Sequence, residues 1–188
     1  MKTKMISSKI CSDRLSPKRG YFLSLVTNSF VALLLGLLFA SFTTVPAYMS
    51  LQTAMQLLEL SSAAHLQSLV TEPHPTVYLT KGEIRASEEL APAVAICDAA
   101  SVNMLYANAP SFSQVELVKI IASSIDDLPA SIDLIKLEEL TNLKYLLVEF
   151  AYDACDGSTN DCQTSILEGI IQGTSTQITV IYSQLIPE

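Results

Sequence analysis

Histidine, glycine and positive charge are all scarce in this chain of 188 residues. Its two histidines, His65 and His74, have no Cys, Asp or Glu nearby at the spacing of a zinc site. The six glycines are scattered, so the sequence offers no glycine-rich loop to hold a phosphate group. No proton-transfer residue stands out on a rigid element, which favours a protein that is not an enzyme. A hydrolase whose site has no recognisable motif stays open as an alternative.

The few basic residues are distributed unevenly along the chain. Residues 1–47 carry six Lys and Arg residues against one acidic residue, a net charge of +5. Residues 48–188 carry five basic residues against 18 acidic residues, a net charge of −13. An acidic field of this size repels phosphate backbones, so we expect no nucleic-acid partner.

One long apolar segment, residues 21–42, follows the basic residues and contains no charged side chain. Its 22 residues are enough to cross a bilayer as a helix. No basic residue follows until Lys81, so the positive-inside rule predicts that residues 1–20 stay in the cytoplasm and the remainder crosses the cytoplasmic membrane. Two outcomes stay open. Cleavage after Ala47 gives a secreted or periplasmic protein, and an uncleaved segment gives a single-pass membrane protein with its N-terminus inside.

The part beyond this segment predicts an exported α+β domain, with several helices packed on a short antiparallel sheet. Residues 48–70 have the periodicity of one amphipathic helix. Residues 71–76 contain two prolines and predict an extended linker. The domain itself is expected over 77–188 and is expected to fold without the first 70 residues.

The individual elements of this domain are predicted from local signals. A hairpin is expected over 76–86 about a turn at Lys81-Gly82, because two short strand-like runs flank that dipeptide. The remaining elements, in chain order, are a helix from Ser87 to about Ala107, a helix opened by Ser113, a strand over 143–151, a helix from Ser165 to Gly173 and a strand over 176–186.

Three of the four cysteines lie beyond the apolar segment, where disulfides can form. We expect Cys155 to pair with Cys162, because Asp156-Gly157 is a strong turn former between them. Cys97 lies in an apolar run and is expected to be a small buried side chain. The alternative is that all three are reduced and packed.

The loop that follows the strand at 143–151 is rich in oxygen ligands. Asp153, Asp156, Asn160 and Asp161 are a candidate calcium site, since Ca²⁺ prefers such groups. The EF-hand pattern fails, because Asp161 stands where Gly is required. A solvated turn explains the same residues, so no cofactor is expected beyond this calcium candidate.

Five leucines recur every three residues and resemble part of a leucine-rich repeat: Leu134, Leu137, Leu140, Leu143 and Leu146. The resemblance covers about one unit, and a solenoid needs at least three units to bury its core. We therefore expect a helix that ends near Asn142, followed by a strand.

Lys18-Arg19-Gly20, followed by Tyr21-Phe22 and the apolar run, resembles the leader junction of type IV prepilins, although Leu25 stands where that family has an acidic residue. The resemblance implies a continuous helix over 21–70 and a filament subunit. The function predicted from the residues themselves is an exported or membrane-anchored domain, non-enzymatic, that contacts the membrane through residues 21–42 and binds a protein partner or has a structural role. The pilin-like subunit is the alternative.

Overall fold

The computed structural model describes residues 48–86, 91–155 and 162–185, all of which belong to one unit that spans residues 46–188. The strands are β1 (Tyr48–Ser50), β2 (Thr76–Thr80), β3 (Glu83–Ala86), β4 (Val94–Cys97), β5 (Leu117–Ala122), β6 (Ile132–Asp133), β7 (Tyr145–Phe150), β8 (Ile171–Gln172) and β9 (Thr179–Gln184). The helices are α1 (Leu51–Leu57), α2 (Leu60–Thr71), α3 (Val102–Ala107), α4 (Leu134–Leu137) and α5 (Cys162–Ile170).

Seven strands form one sheet in the order β1-β9-β7-β5-β4-β2-β3, and all neighbours are parallel except β2 and β3. The mixed α/β composition was predicted, but the antiparallel sheet was wrong. Among the connections that the structure describes, the hairpin at Lys81 and Gly82, both with positive φ, is the one that reverses the chain within two residues. The connections between parallel neighbours are long enough to bring the chain from the carboxyl end of one strand back to the edge of the sheet where the next strand begins, which parallel pairing requires. The two-stranded β6–β8 pair is also parallel.

Helices α1 and α2 cover one face of the sheet, where Leu66 and Leu69 pack with Leu117, Leu147 and Ile181. The segments that connect β4, β5, β7 and β9 cover the other face with a larger apolar cluster. Because both faces are covered, the central strands are mostly apolar on both sides, and all six residues of β7 are buried.

Two predicted helices contain strands in the structure. Val94–Cys97 lies in the stretch expected to be helical up to Ala107. Among the described residues of that stretch, Ala99–Ser101 form a 3-10 helix and Val102–Ala107 form an α-helix. Leu117–Ala122 replaces the helix expected from Ser113. A short apolar run that is buried on both faces has no period of two, so it cannot be distinguished from a buried helix by pattern.

The single helix expected over 48–70 is a strand followed by two helices. Ser50 ends β1 and caps α1, because its hydroxyl accepts a hydrogen bond from the Thr53 amide at 3.1 Å. Leu58 lies between α1 and α2 with extended φ and ψ. The described part of the continuous helix that the prepilin resemblance implies is therefore interrupted. The Pro-containing interval after Thr71 is the connection from α2 to β2.

The five leucines that resemble a repeat unit are all buried, in a turn of chain that runs from α4 into β7. Strands β2, β4, β5, β7 and β9 follow one another in space in chain order, as stacked solenoid repeats do. They begin at residues 76, 94, 117, 145 and 179, which lie in register, so successive spacings grow through 18, 23, 28 and 34 residues. These spacings have no constant period, so they do not extend the leucine pattern into a regular repeat. The helix expected to end near Asn142 is the short α4, which ends at Leu137, and the expected strand is β7.

The remaining local predictions are confirmed with small shifts of their bounds. The hairpin is β2 and β3, and the strands expected over 143–151 and 176–186 are β7 and β9. The helix expected from Ser165 to Gly173 is α5, which begins at Cys162 and ends at Ile170. Strand β8 lies between α5 and Gly173, whose φ is 78°.

Candidate binding cleft

A cleft of about 580 Å³ opens between the helices α1 and α2 and the carboxyl ends of β1 and β9. Its volume lies within the range of small-ligand sites. The residues that line it come from β1 and α1, from α2, from the start of α5 and from the end of β9: Ser50, Leu51, Gln52, Met55, Gln67, Val70, Thr71, Gln163, Tyr182, Ser183, Gln184 and Leu185.

The position of this cleft follows from the order of the strands. The chain leaves β1 through α1 and α2 on one face of the sheet, whereas it reaches β9 from the other face. Strands β1 and β9 are neighbours, with Ser50 opposite Tyr182. Open parallel sheets bind ligands beyond the carboxyl ends of strands at the point where neighbouring connections lie on opposite faces. The cleft lies beyond the carboxyl ends of β1 and β9, beside the helices α1 and α2 that follow β1.

The described lining of the cleft contains no Asp, Glu, Lys, Arg or His. Gln52 and Gln67 are exposed on α1 and α2, and a carboxamide offers two donors and an acceptor. Aliphatic walls come from Leu51, Met55 and Val70. The combination suits an uncharged ligand that presents both hydrogen-bonding groups and apolar surface.

Ser183 adds a polar group at the end of β9. Its hydroxyl oxygen is buried and has no hydrogen-bond partner among the described residues. An unsatisfied buried polar atom costs about 1–3 kcal/mol. A ligand group that reached this hydroxyl would recover part of that cost.

One wall of the cleft belongs to a closed ring of contacts that includes the predicted disulfide. Cys155 and Cys162 are paired, with a Cα–Cα distance of 5.7 Å. The next residue, Gln163, donates from Nε2 to Gln184 Oε1 at 2.5 Å. Gln184 donates from Nε2 to Asp153 Oδ1 at 3.4 Å, and the Cys155 amide donates to the same oxygen at 3.1 Å. The disulfide therefore fixes the start of α5 against the end of β9.

Of the four candidate calcium ligands, one is among the described residues. Asp153 is described and takes part in the ring, whereas Asp156, Asn160 and Asp161 lie outside the described residues. Within the described ranges, no group of three or more His, Cys, Asp or Glu side chains is placed to hold a metal ion. The calcium site stays a prediction.

The two histidines and Cys97 lie apart from the cleft. His65 Nε2 is 3.0 Å from Glu116 Oε2, and His74 Nε2 is 3.1 Å from the hydroxyl oxygen of Ser68. Cys97 is a free, buried thiol, as expected, and its burial raises the pKa to about 12. A thiol with so high a pKa is a poor nucleophile.

The apolar segment 21–42 lies outside the described residues. Among those that are described, no helix has the length and apolarity needed to cross a bilayer.

Sequence reasoning did not find the residues of the cleft. Glutamine is an ordinary surface residue, and Gln52, Gln67, Gln163 and Gln184 are far apart in the chain with no motif to join them. The signal that locates the cleft is the position of β1 beside β9, which depends on long-range strand pairing.

The chain matches no family model, no curated protein and no solved structure.

Proposed function

We propose that the protein is a non-enzymatic binding domain, exported or anchored in the membrane, whose ligand occupies the cleft between α1, α2 and β9. Residues 1–47 direct the chain to the cytoplasmic membrane, and the acidic part beyond them is presented on the far side. The observation that carries the proposal is the position of the cleft at the carboxyl ends of two neighbouring parallel strands, with a described lining of uncharged hydrogen-bonding groups.

The start of the packed unit supports the delivery half of the proposal. The first described element, β1, begins at Tyr48, immediately after the candidate cleavage position at Ala47. Met49 of β1 is 4% exposed and lies opposite Ile181. Removal of the leader after Ala47 would leave every described strand in place, and so would retention of the leader as an anchor.

The intact mass of the protein isolated from its native cells tests delivery. A chain that starts at Tyr48 identifies a released domain, and a chain that starts at Met1 in the membrane fraction identifies an anchored one. A start at Tyr21 would instead support the pilin-like subunit. A full-length chain found only in the cytosolic fraction would overturn export.

Methionine methyl groups test binding in the cleft. Met55 lines the cleft, and Met104 packs against the cluster on the opposite face of the sheet. In protein labelled with ¹³C at the methionine methyls, a ligand in the cleft shifts the Met55 resonance and leaves Met104 unchanged. Failure of Met55 to respond to neutral saccharides, charged saccharides and peptides alike would overturn the binding function.

A further inference from the structure

We infer that the cleft takes a neutral saccharide, a ligand with several hydroxyl groups and no charge. This inference rests on the proposed function and names the chemical class of its ligand.

The polar groups of the lining match hydroxyl groups better than they match ions. Gln52 and Gln67 project carboxamides from two helices, and Thr71 adds a hydroxyl. The carboxamides can both donate and accept, as each sugar hydroxyl can, whereas the Thr71 hydroxyl already donates to the Gln67 carbonyl at 2.8 Å and is left as an acceptor. An anion or cation bound here would lose its hydration shell without meeting an opposite charge in the described lining, which is costly.

The apolar part of the lining fits the same ligand class. A sugar ring carries C–H groups on its faces, and the side chains of Met55 and Val70 offer aliphatic surface to them. The mixture of aliphatic and carboxamide groups is too polar for a purely hydrophobic ligand, because buried amides without partners are costly.

The charge of the domain and the rigidity of the cleft wall also favour a neutral saccharide over a charged one. The net charge of −13 over residues 48–188 opposes the approach of anionic glycans. Gln184 is held by Gln163 on one side and Asp153 on the other, so its carboxamide is already oriented before a ligand arrives. Preorganised polar groups reduce the entropy cost of binding.

Titration of the mature protein with neutral disaccharides, with and without N-acetyl groups, tests the inference through the Met55 methyl resonance and saturation-transfer NMR. Disaccharides that carry a uronic acid, and uncharged tripeptides, serve as comparisons. We expect saturable shifts of Met55 with at least one neutral disaccharide and none with its uronic-acid counterpart.

Two single substitutions identify the contacts. Gln52→Ala and Gln67→Ala are each expected to weaken saccharide binding about tenfold, the loss of a neutral hydrogen bond or two. Gln56→Ala is the matched control, because Gln56 is exposed on α1 and lies outside the cleft lining. Equal losses for Gln56→Ala and Gln52→Ala would overturn the inference.

The possible outcomes test the saccharide inference separately from the proposed binding function. Shifts of Met55 with tripeptides or uronic-acid saccharides, and none with neutral saccharides, overturn the saccharide inference and leave the binding function standing. No shift with any of the probes overturns both.

Discussion

Lys119 Nζ and Glu149 Oε2 lie 2.8 Å apart on the face of the sheet that packs against α1 and α2. Lys119 comes from β5, and Glu149 comes from the neighbouring strand β7. Their side chains are only 18% and 9% exposed. The pair is the most buried of the ion pairs between described residues, and it links the two central strands through side chains as well as through the backbone.

Removal of one partner from this pair is expected to lower the free energy of unfolding. Lys119→Met should lower the free energy of unfolding by roughly 3 kcal/mol, because it leaves a buried carboxylate unpaired. Lys119→Met combined with Glu149→Leu should recover most of that loss, since both charges are then absent. Urea denaturation at pH 7 measures the differences.

Lys136→Met provides the matched control for the ion pair. Lys136 is 59% exposed, and its Nζ is 3.6 Å from Asp133 Oδ2. An exposed pair of this kind contributes about 1 kcal/mol or less. If the double variant of Lys119 and Glu149 were as unstable as Lys119→Met alone, the unpaired carboxylate would not be the cause of the lost stability.

The packing of α2 on the sheet gives a second prediction. Leu66 is fully buried, whereas Leu60 on the same helix is 88% exposed. Leu66→Ala should lower the free energy of unfolding by about 3 kcal/mol through lost burial and a residual cavity. Leu60→Ala should change it by about 0.5 kcal/mol or less. Equal and small effects in thermal and urea denaturation would show that α2 does not belong to the core.

The carboxylate of Glu116 gives a prediction about acid stability. Burial would raise its pKa, but hydrogen bonds and charges from Lys144, at 2.5 Å, and from His65, at 3.0 Å, outweigh burial and hold the pKa below its usual value of 4.5. A depressed pKa contributes stability that is complete above the unfolded value and is lost as the pH falls through the lower folded value.

Glu116→Gln should therefore be less stable than the natural chain near pH 7, and the difference should shrink as the pH falls below 4.5. Urea denaturation at several pH values between about 3 and 7 measures this trend. Glu83→Gln is the control, because Glu83 pairs with Arg85 on the exposed strand β3. A difference for Glu116→Gln that is constant across this range would contradict the assignment.

The disulfide ring gives the fourth prediction. Replacement of Cys155 and Cys162 by Ser should lower the free energy of unfolding by about 2 kcal/mol, the chain-entropy estimate for so short a loop. It should also speed hydrogen exchange at the amides near Gln163 and Gln184, because the bridge fixes the start of α5. Peptide mapping without reduction checks the pairing, and recovery of Cys97 in a disulfide would refute it.

The sequence predicted local structure correctly where the residues that determine it lie within a few positions of one another. The turn at Lys81-Gly82, the strand at 145–150 and the pairing of Cys155 with Cys162 all depend on neighbours in the chain. The predictions of helices around Val94–Cys97 and Leu117–Ala122 were wrong. These segments are strands buried on both faces, and such strands lack the alternation of apolar and polar residues that identifies a strand in a sequence.

The sequence by itself determined the charge division, the apolar segment at 21–42, the hairpin and the cysteine pair, because each is a property of contiguous residues. Only the tertiary structure decided that Tyr48–Ser50 is an edge strand beside β9 and that α1 and α2 cover one face of the sheet. Parallel pairing joins residues more than 100 positions apart, such as Met49 and Ile181, and its free energy comes from burial that no local pattern encodes. The cleft exists because of that pairing, so it could not be found before the strands were ordered.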